Sequence, residues 1–314
     1  MSADAVVLEK VSRRYGPIEA VRELSLSISA GEMFGLIGPD GAGKTTTIRM
    51  VCGLLRPDAG RIQVFGLDPS RQHRQVTHSV GYLSQRFSLY ADLSINENIA
   101  FFAEIHGMRD YAARRDRLLE LTQLTPFAHR LAGQLSGGMK QKLALACTLI
   151  HEPRLIVLDE PTTGVDPVSR REFWKLLSEF LSQGITIIMS TPYLDEAERC
   201  ARVALLHNGR LLALDRPDVL RQGLPGLLFE VIAPDHRRTA AALRALPDVA
   251  NVQTFGERAH VRLAADAGAP AASQVDPAER LAAGLRASGI EPTVIRRVAP
   301  SLEDVFVTRL GELQ

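Results

Sequence analysis

The sequence predicts a mainly parallel α/β core carrying an inserted helical lobe, followed by a small ferredoxin-like α+β domain. Three observations lead there. Short apolar strands alternate with helical stretches as far as about residue 222, the order of helices packed on a parallel sheet. Residues of about 92–150 interrupt that alternation with helical periodicity. Past a boundary at Gly223-Leu224-Pro225-Gly226 the order becomes strand, helix, strand, strand, helix, strand. The chain of 314 residues is therefore read as a domain over 1–222 and an accessory domain over 223–314.

The elements follow in order. Strands are expected over 6–8 and 24–28, then a buried strand over 33–37 that runs into a glycine loop. A helix over 45–55 stops at Arg56-Pro57, and strands follow over 61–65 and 80–84. The lobe is helical from 96 to 131, with Ile99, Phe102, Ala103 and His106 on one face and Leu118, Leu121 and Thr122 on another. Helices over 136–150, 168–183 and 194–200 alternate with strands over 155–158 and 185–189. A hairpin of 203–207 and 210–213 turns at Asn208-Gly209. The accessory domain reads as strand 227–232, helix 237–246, strands 249–255 and 260–264, helix 277–288 and strand 293–298. Its Ala/Gly-rich 265–275 is expected to be a loop.

Composition narrows the function. Hydrophobic residues at 46% and charged residues at 23% are ordinary globular values. Lys plus Arg number 37 against 36 Asp plus Glu, a balance that gives no ground for a nucleic-acid surface. Cys52, Cys147 and Cys200 lie far apart and read as free thiols in a reducing compartment. Residues 1–10 carry acids and no long apolar run, unlike a signal peptide, and no stretch reaches the length of a membrane helix. A role at a membrane would need another chain to supply the span.

The chemistry begins at Gly38-Pro39-Asp40-Gly41-Ala42-Gly43-Lys44-Thr45, which fits G-x-x-x-x-G-K-[ST] between a strand and a helix. Glycines let backbone N–H groups turn inward around phosphates, and the helix N-terminus adds its dipole. Lys44 is placed to reach the β- and γ-phosphates, the Thr45 hydroxyl to hold Mg²⁺, and Thr46 to extend the phosphate contact. Asp40 must point away, because a carboxylate beside a polyphosphate costs Coulomb energy. A second acidic motif ends the strand over 155–158: Asp159 is the candidate Mg²⁺ ligand and Glu160 the candidate group that polarises the attacking water. Ser136 is a helix N-cap residue, and Gly137-Gly138 leave N–H groups bare, an anion site or an ordinary capped helix.

Leu135-Ser136-Gly137-Gly138-Met139-Lys140-Gln141 resembles the signature of ABC transporters, with Met139 at the fifth place. Residues 6 to about 222 resemble their nucleotide-binding domain from end to end. The resemblance implies a P-loop NTPase fold and ATP with Mg²⁺ as cofactors. It implies Tyr15 as the adenine-stacking aromatic and Gln85 as the Q-loop glutamine, touching metal and water. It makes Gly164-Val165-Asp166-Pro167 the D-loop, and the segment Ser136–Gly138 a contact to the ATP of a second subunit. The run Pro300-Ser301-Leu302-Glu303-Asp304-Val305-Phe306 is similar to the ending of ATP-binding subunits paired with ABC-2 type export permeases, drug exporters among them. Such a protein lies on the cytoplasmic face of the membrane, bound to permease subunits and a second nucleotide-binding domain. A soluble ABC protein of translation or repair, and a low-turnover regulatory module, are the rival readings.

One position departs from the family. Where it has a switch histidine, this chain runs Ser190-Thr191-Pro192-Tyr193-Leu194-Asp195-Glu196-Ala197. Proline has neither a side-chain donor nor an N–H, so it cannot bind a γ-phosphate or orient water. The fold tolerates the proline, since Thr191 can serve as an N-cap and Pro192 can take a first helical position. Neither His151 nor His207 sits in a context that replaces the missing group. A heterodimer with one weak site is therefore favoured, a homodimer remaining open.

Overall fold

The computed structural model describes residues 4–85, 89–264 and 276–312, and the chain divides into two compact units, Met1–Pro217 and Asp218–Gln314. In the first, β1 (Asp4–Tyr15) and β2 (Ile18–Ser29) form an antiparallel hairpin, longer at both strands than the alternation alone indicates. β3 (Met33–Ile37) is buried along its whole length and leads through the glycine loop into α1 (Lys44–Val51). α1 ends four residues earlier than expected, because Gly53 takes a left-handed φ of 71° and turns the chain. β4 (Ala59–Val64) pairs with β1, giving a three-stranded sheet of order β2-β1-β4.

α2 (His73–Ser79) and β5 (Val80–Leu83) precede the lobe. The lobe is two helices rather than one helical run, α3 (Ile95–Ile105) and α4 (Ala112–Leu121), separated where Gly107 turns at φ 70°. Ser94 and Glu97 form a capping box at the start of α3. The buried stripe of α3 is Ile95, Asn98, Ile99 and Ala103, with Phe102 and His106 half-buried, and Leu119 rather than Leu121 joins Leu118 and Thr122 inside. Asn98 is polar yet fully buried, because its Nδ2 donates to the carbonyls of Tyr90, Leu93 and Ser94 while its Oδ1 accepts from the Tyr90 N–H.

α5 (Gly137–Leu149), β6 (Leu155–Asp159), α6 (Pro167–Ser182), β7 (Thr186–Thr191), α7 (Leu194–Ala197), β8 (Arg202–His207) and β9 (Arg210–Asp215) complete this unit. The larger sheet has the order β5-β6-β7-β3-β8-β9, parallel except for the β8–β9 hairpin. Phe34, Leu36, Ile48, Val157, Ile188 and Leu206 are among its core. α7 starts at Leu194, as expected, and is shorter than the 194–200 read from sequence; Pro192 lies outside it, so the helix start that Thr191-Pro192 would allow does not form. Thr191 ends β7, and its hydroxyl donates to Glu196 Oε2 at 2.7 Å while accepting from the Tyr193 N–H at 3.0 Å.

α8 (Pro217–Gln222) begins at the division. The second unit runs β10 (Leu228–Ile232), α9 (His236–Arg244), β11 (Val249–Phe255), β12 (Arg258–Leu263), α10 (Pro277–Ala287), β13 (Val294–Arg297) and α11 (Leu302–Gly311). Its sheet order β11-β12-β10-β13, antiparallel throughout, is that of a ferredoxin-like sheet. Phe229, Val231 and Val261 pack with Leu243, Leu281 and Leu285 of the two covering helices. His260, on the opposite face, meets Asp304 of α11 at 2.9 Å, and Asp304 closes a capping box with Ser301. The loop expected over 265–275 lies outside the described residues.

Candidate nucleotide site

The glycine loop, Gln85, Asp159 and Glu160 gather at the carboxyl ends of β3, β5 and β6, the edge where open α/β sheets receive ligands. The loop from Gly38 to Gly43 must be tightly curled. Gly43 has φ 99°, and a Cβ there would fall 2.4 Å from the Ala20 carbonyl oxygen; at Gly38 it would fall 2.2 Å from that of Leu206. No side chain fits either place. Gly41, with φ 77°, has open space on its Cβ side.

Lys44 is only 4% exposed. Its ammonium donates to the carbonyls of Gly38 at 2.7 Å and Pro39 at 3.1 Å, and lies 3.2 Å from Glu160 Oε1. A buried cation needs such partners, and these are what an entering polyphosphate would replace. Gln85 Nε2 donates to Glu160 Oε2 at 3.0 Å. Glu160 itself has φ 49°, a left-handed conformation that costs of order 1–3 kcal/mol and persists only where the surroundings impose it. Its N–H is held by both the carbonyl (3.1 Å) and the hydroxyl (3.0 Å) of Ser190.

Thr45 Oγ1 donates to Asp159 Oδ1 at 3.0 Å. This pair of hard oxygen donors, one an anion, fits Mg²⁺, which takes a few protein oxygens and leaves the remainder of its shell to water and phosphate. The cleft around these groups measures about 560 Å³ and runs from Lys44, Gln85 and Glu160 out to Tyr15. Tyr15 is exposed at its rim, with the Arg13 guanidinium 5.2 Å from the ring centroid. Asp40 also lines the mouth and is exposed, where solvent screens its charge.

Ser136, Gly137, Gly138 and Asp166 are not among the residues lining that cleft. Ser136 caps α5 by accepting from the Met139 N–H at 3.3 Å, and Gly137 is open to its surroundings. Gly138 is different: a Cβ there would stand 2.2 Å from Ser169 Oγ, so it serves the contact of α5 with α6. Asp166 caps α6, accepting from the Val168 and Ser169 N–H groups, and its hydrogen bonds to Ser169, side chain first and backbone second, hold its carboxyl below the usual range. His151 stacks on His106 at 3.8 Å, away from the cleft, and burial pushes it down to about 4.

Sequence reading missed Ile18, Arg22 and Asn208 in the cleft wall, and Ser190 behind it. Asn208 had a signal, the Asn-Gly turn that brings β8 and β9 back to the glycine loop, where the Gly209 N–H donates to the Ala42 carbonyl. Arg22 and Ser190 had none.

A glycine loop curled around an open space, a buried lysine and an Asp-Glu pair beside a threonine hydroxyl define a phosphate-loop nucleotide-binding domain. The family model described as ABC transporter matches residues 21–163. The chain is 40% identical over 315 residues to the probable multidrug ABC transporter ATP-binding protein YbhF of Escherichia coli (strain K12), covering 98% of this chain and 52% of that protein. It thus spans about half the length of that relative. It is 35% identical to the daunorubicin resistance ATP-binding protein DrrA3 of Streptomyces coeruleorubidus, covering 99% of this chain and 98% of that one. Among solved structures, an ATP-binding subunit of an ABC transporter matches at TM-score 0.64 and 30% identity, over 69% of this chain and 92% of its own. The bacterial ABC transporter cassette MJ0796, described as dimeric, matches at TM-score 0.61 and 26% identity, over 67% and 98%. The chain belongs to the family of ABC transporter ATP-binding proteins.

Proposed function

We propose that this chain binds MgATP in the cleft around Lys44 and hydrolyses it to drive an ABC-2 type export permease supplied by other chains. The observation that carries the reading is the convergence on Lys44 of the glycine loop and Glu160, with Gln85 and the Thr45–Asp159 pair beside them. Lys44 and the N–H groups of 38–46 take the phosphates, and Tyr15 offers a ring face to the base. Thr45, Asp159 and Gln85 would hold Mg²⁺, which supplies charge neutralisation on the phosphate oxygens. Glu160 accepts a proton from, or orients, the attacking water, with Gln85 fixing its second oxygen.

The N-terminus of α5, with Ser136 and Gly137 free of this cleft, and the D-loop Asp166 serve the ATP of a second cassette. The described dimer of MJ0796 supports the pairing, and the multidrug-transporter and daunorubicin-resistance names of the curated relatives support a transport role. Cargo of a multidrug kind follows by analogy with those names. The place of action is then the cytoplasmic face of a membrane; among the described residues no helix is long and apolar enough to cross one. A second reading, a nucleotide-binding subunit of low turnover, is favoured by Pro192 alone.

Equilibrium binding of a labelled ATP analogue tests the reading. Lys44→Ala removes the buried cation and should weaken binding by 100-fold or more, on the order of 3 kcal/mol for a charged hydrogen-bonding group. Unchanged affinity would dismiss the assignment of the site.

A further inference from the structure

We propose that Ser190 is a positioning residue of this site: its single hydroxyl ties the metal-holding carboxylate of Asp159 to the backbone of Glu160. This rests on the reading of Thr45 and Asp159 as the groups that hold Mg²⁺. Ser190 is fully buried near the end of β7, and the parallel register sets it directly beside Asp159 of β6. Its Oγ donates to Asp159 Oδ1 at 2.6 Å and accepts from the Glu160 N–H at 3.0 Å. A hydroxyl has one proton and two lone pairs, so it makes both bonds at once.

Each bond bears on a separate part of the site. The short bond to Asp159 orients the oxygen that Thr45 also contacts, and so presets the carboxylate before a metal arrives. The bond from the Glu160 N–H helps to hold the left-handed backbone that aims this side chain at Lys44 and Gln85. The next residue cannot share the work. The Thr191 hydroxyl is committed to Glu196 and the Tyr193 N–H, and Pro192 carries no polar side-chain atom. In the run Ser190-Thr191-Pro192, the polar group that reaches the Asp159–Glu160 pair is Ser190.

Partners that hydrogen-bond a ligating carboxylate typically account for about 10–100-fold in metal affinity. The experiment is retention of a labelled non-hydrolysable ATP analogue by the full chain, titrated with Mg²⁺ and repeated in EDTA. Ser190→Ala should leave the EDTA affinity within about twofold of wild type and raise the half-saturating Mg²⁺ about tenfold. Ser190→Thr, which keeps the hydroxyl, should stay near wild type. Ser190→Cys keeps the shape and weakens the donor, so it decides the matter if the alanine variant does not fold.

An unchanged Mg²⁺ dependence in the folded variants overturns the proposal. So does an equal loss of affinity with and without the metal, which marks a merely structural serine. Wild-type binding that ignores Mg²⁺ overturns the placement of the metal and this inference with it. No binding by wild type would remove the nucleotide reading itself, a result distinct from all of these.

Discussion

Lys44 and Glu160 face each other at 3.2 Å, both nearly out of solvent. For a buried pair this contact satisfies each charge without adding much net stability, because desolvation offsets attraction. On the proposed function, Lys44 would exchange Glu160 for an incoming phosphate. Glu160→Gln keeps the amide-sized shape, leaves an oxygen to accept from Gln85 and removes the competing anion. ATP should therefore be held at least as tightly, while turnover falls by about 10²–10⁴, the usual worth of a positioned general base. Bound nucleotide and steady-state phosphate release, measured on the same preparation, check both halves. A variant with normal turnover would show that Glu160 does not act on the water.

At the scale of elements, α5 and α6 meet through Gly138. A methyl there would meet Ser169 Oγ at 2.2 Å and Cβ at 2.6 Å, whereas one at Gly137 would meet nothing within 4 Å. Gly138→Ala should cost about 1–3 kcal/mol, the range for an overpacked contact. Gly137→Ala should leave stability within about 0.5 kcal/mol. Thermal melting distinguishes them, and equal melting temperatures would contradict the packing. The signature as read from sequence treats the two glycines alike, as bare N–H donors. Only their neighbours from α6, some thirty positions on, separate them. The same limit explains the rest of what sequence missed. The strands over 33–37 and 155–158, the glycine loop and the Asp159-Glu160 pair are local patterns of spacing and hydropathy, and they were legible. Ser190 acts on residues 31 positions back, and Asn98 is buried because its amide closes a loop. The switch segment also offered a local fit that does not form: Thr191-Pro192 suits a helix start, but Glu196, also bonded to Thr162, claims the Thr191 hydroxyl, and the helix begins at Leu194 as its periodicity indicated.

Considered as a whole molecule, one chain holds a phosphate loop and Glu160 in one cleft, with Asp159 buried behind Thr45, and a capped glycine helix start outside that cleft. Two such chains, or this chain and a relative, would each lend that helix start to the other's ATP. On the proposed function, pairing with a cassette that carries a histidine at this position would make the two sites unequal, because this chain has Pro192 there. The loop after β7 offers the γ-phosphate no imidazole, and loss of one preorganised group at a transition state costs about 10²–10³ in rate. The isolated chain should bind ATP well and release phosphate slowly. Mixed with a cassette that carries a histidine at this position, it should support turnover at the partner's site, because Ser136 and Gly137 are intact. Pro192→His should recover part of the rate in the isolated chain. The gain is limited by geometry, since Pro192 lies between the end of β7 and the start of α7 and is half-buried. Disrupting Ser136 and Gly137 should harm the mixed assembly more than Pro192→His helps it. Steady-state phosphate release from the purified chain decides the point: a rate matching that of the histidine-bearing cassette alone would refute the unequal-site proposal.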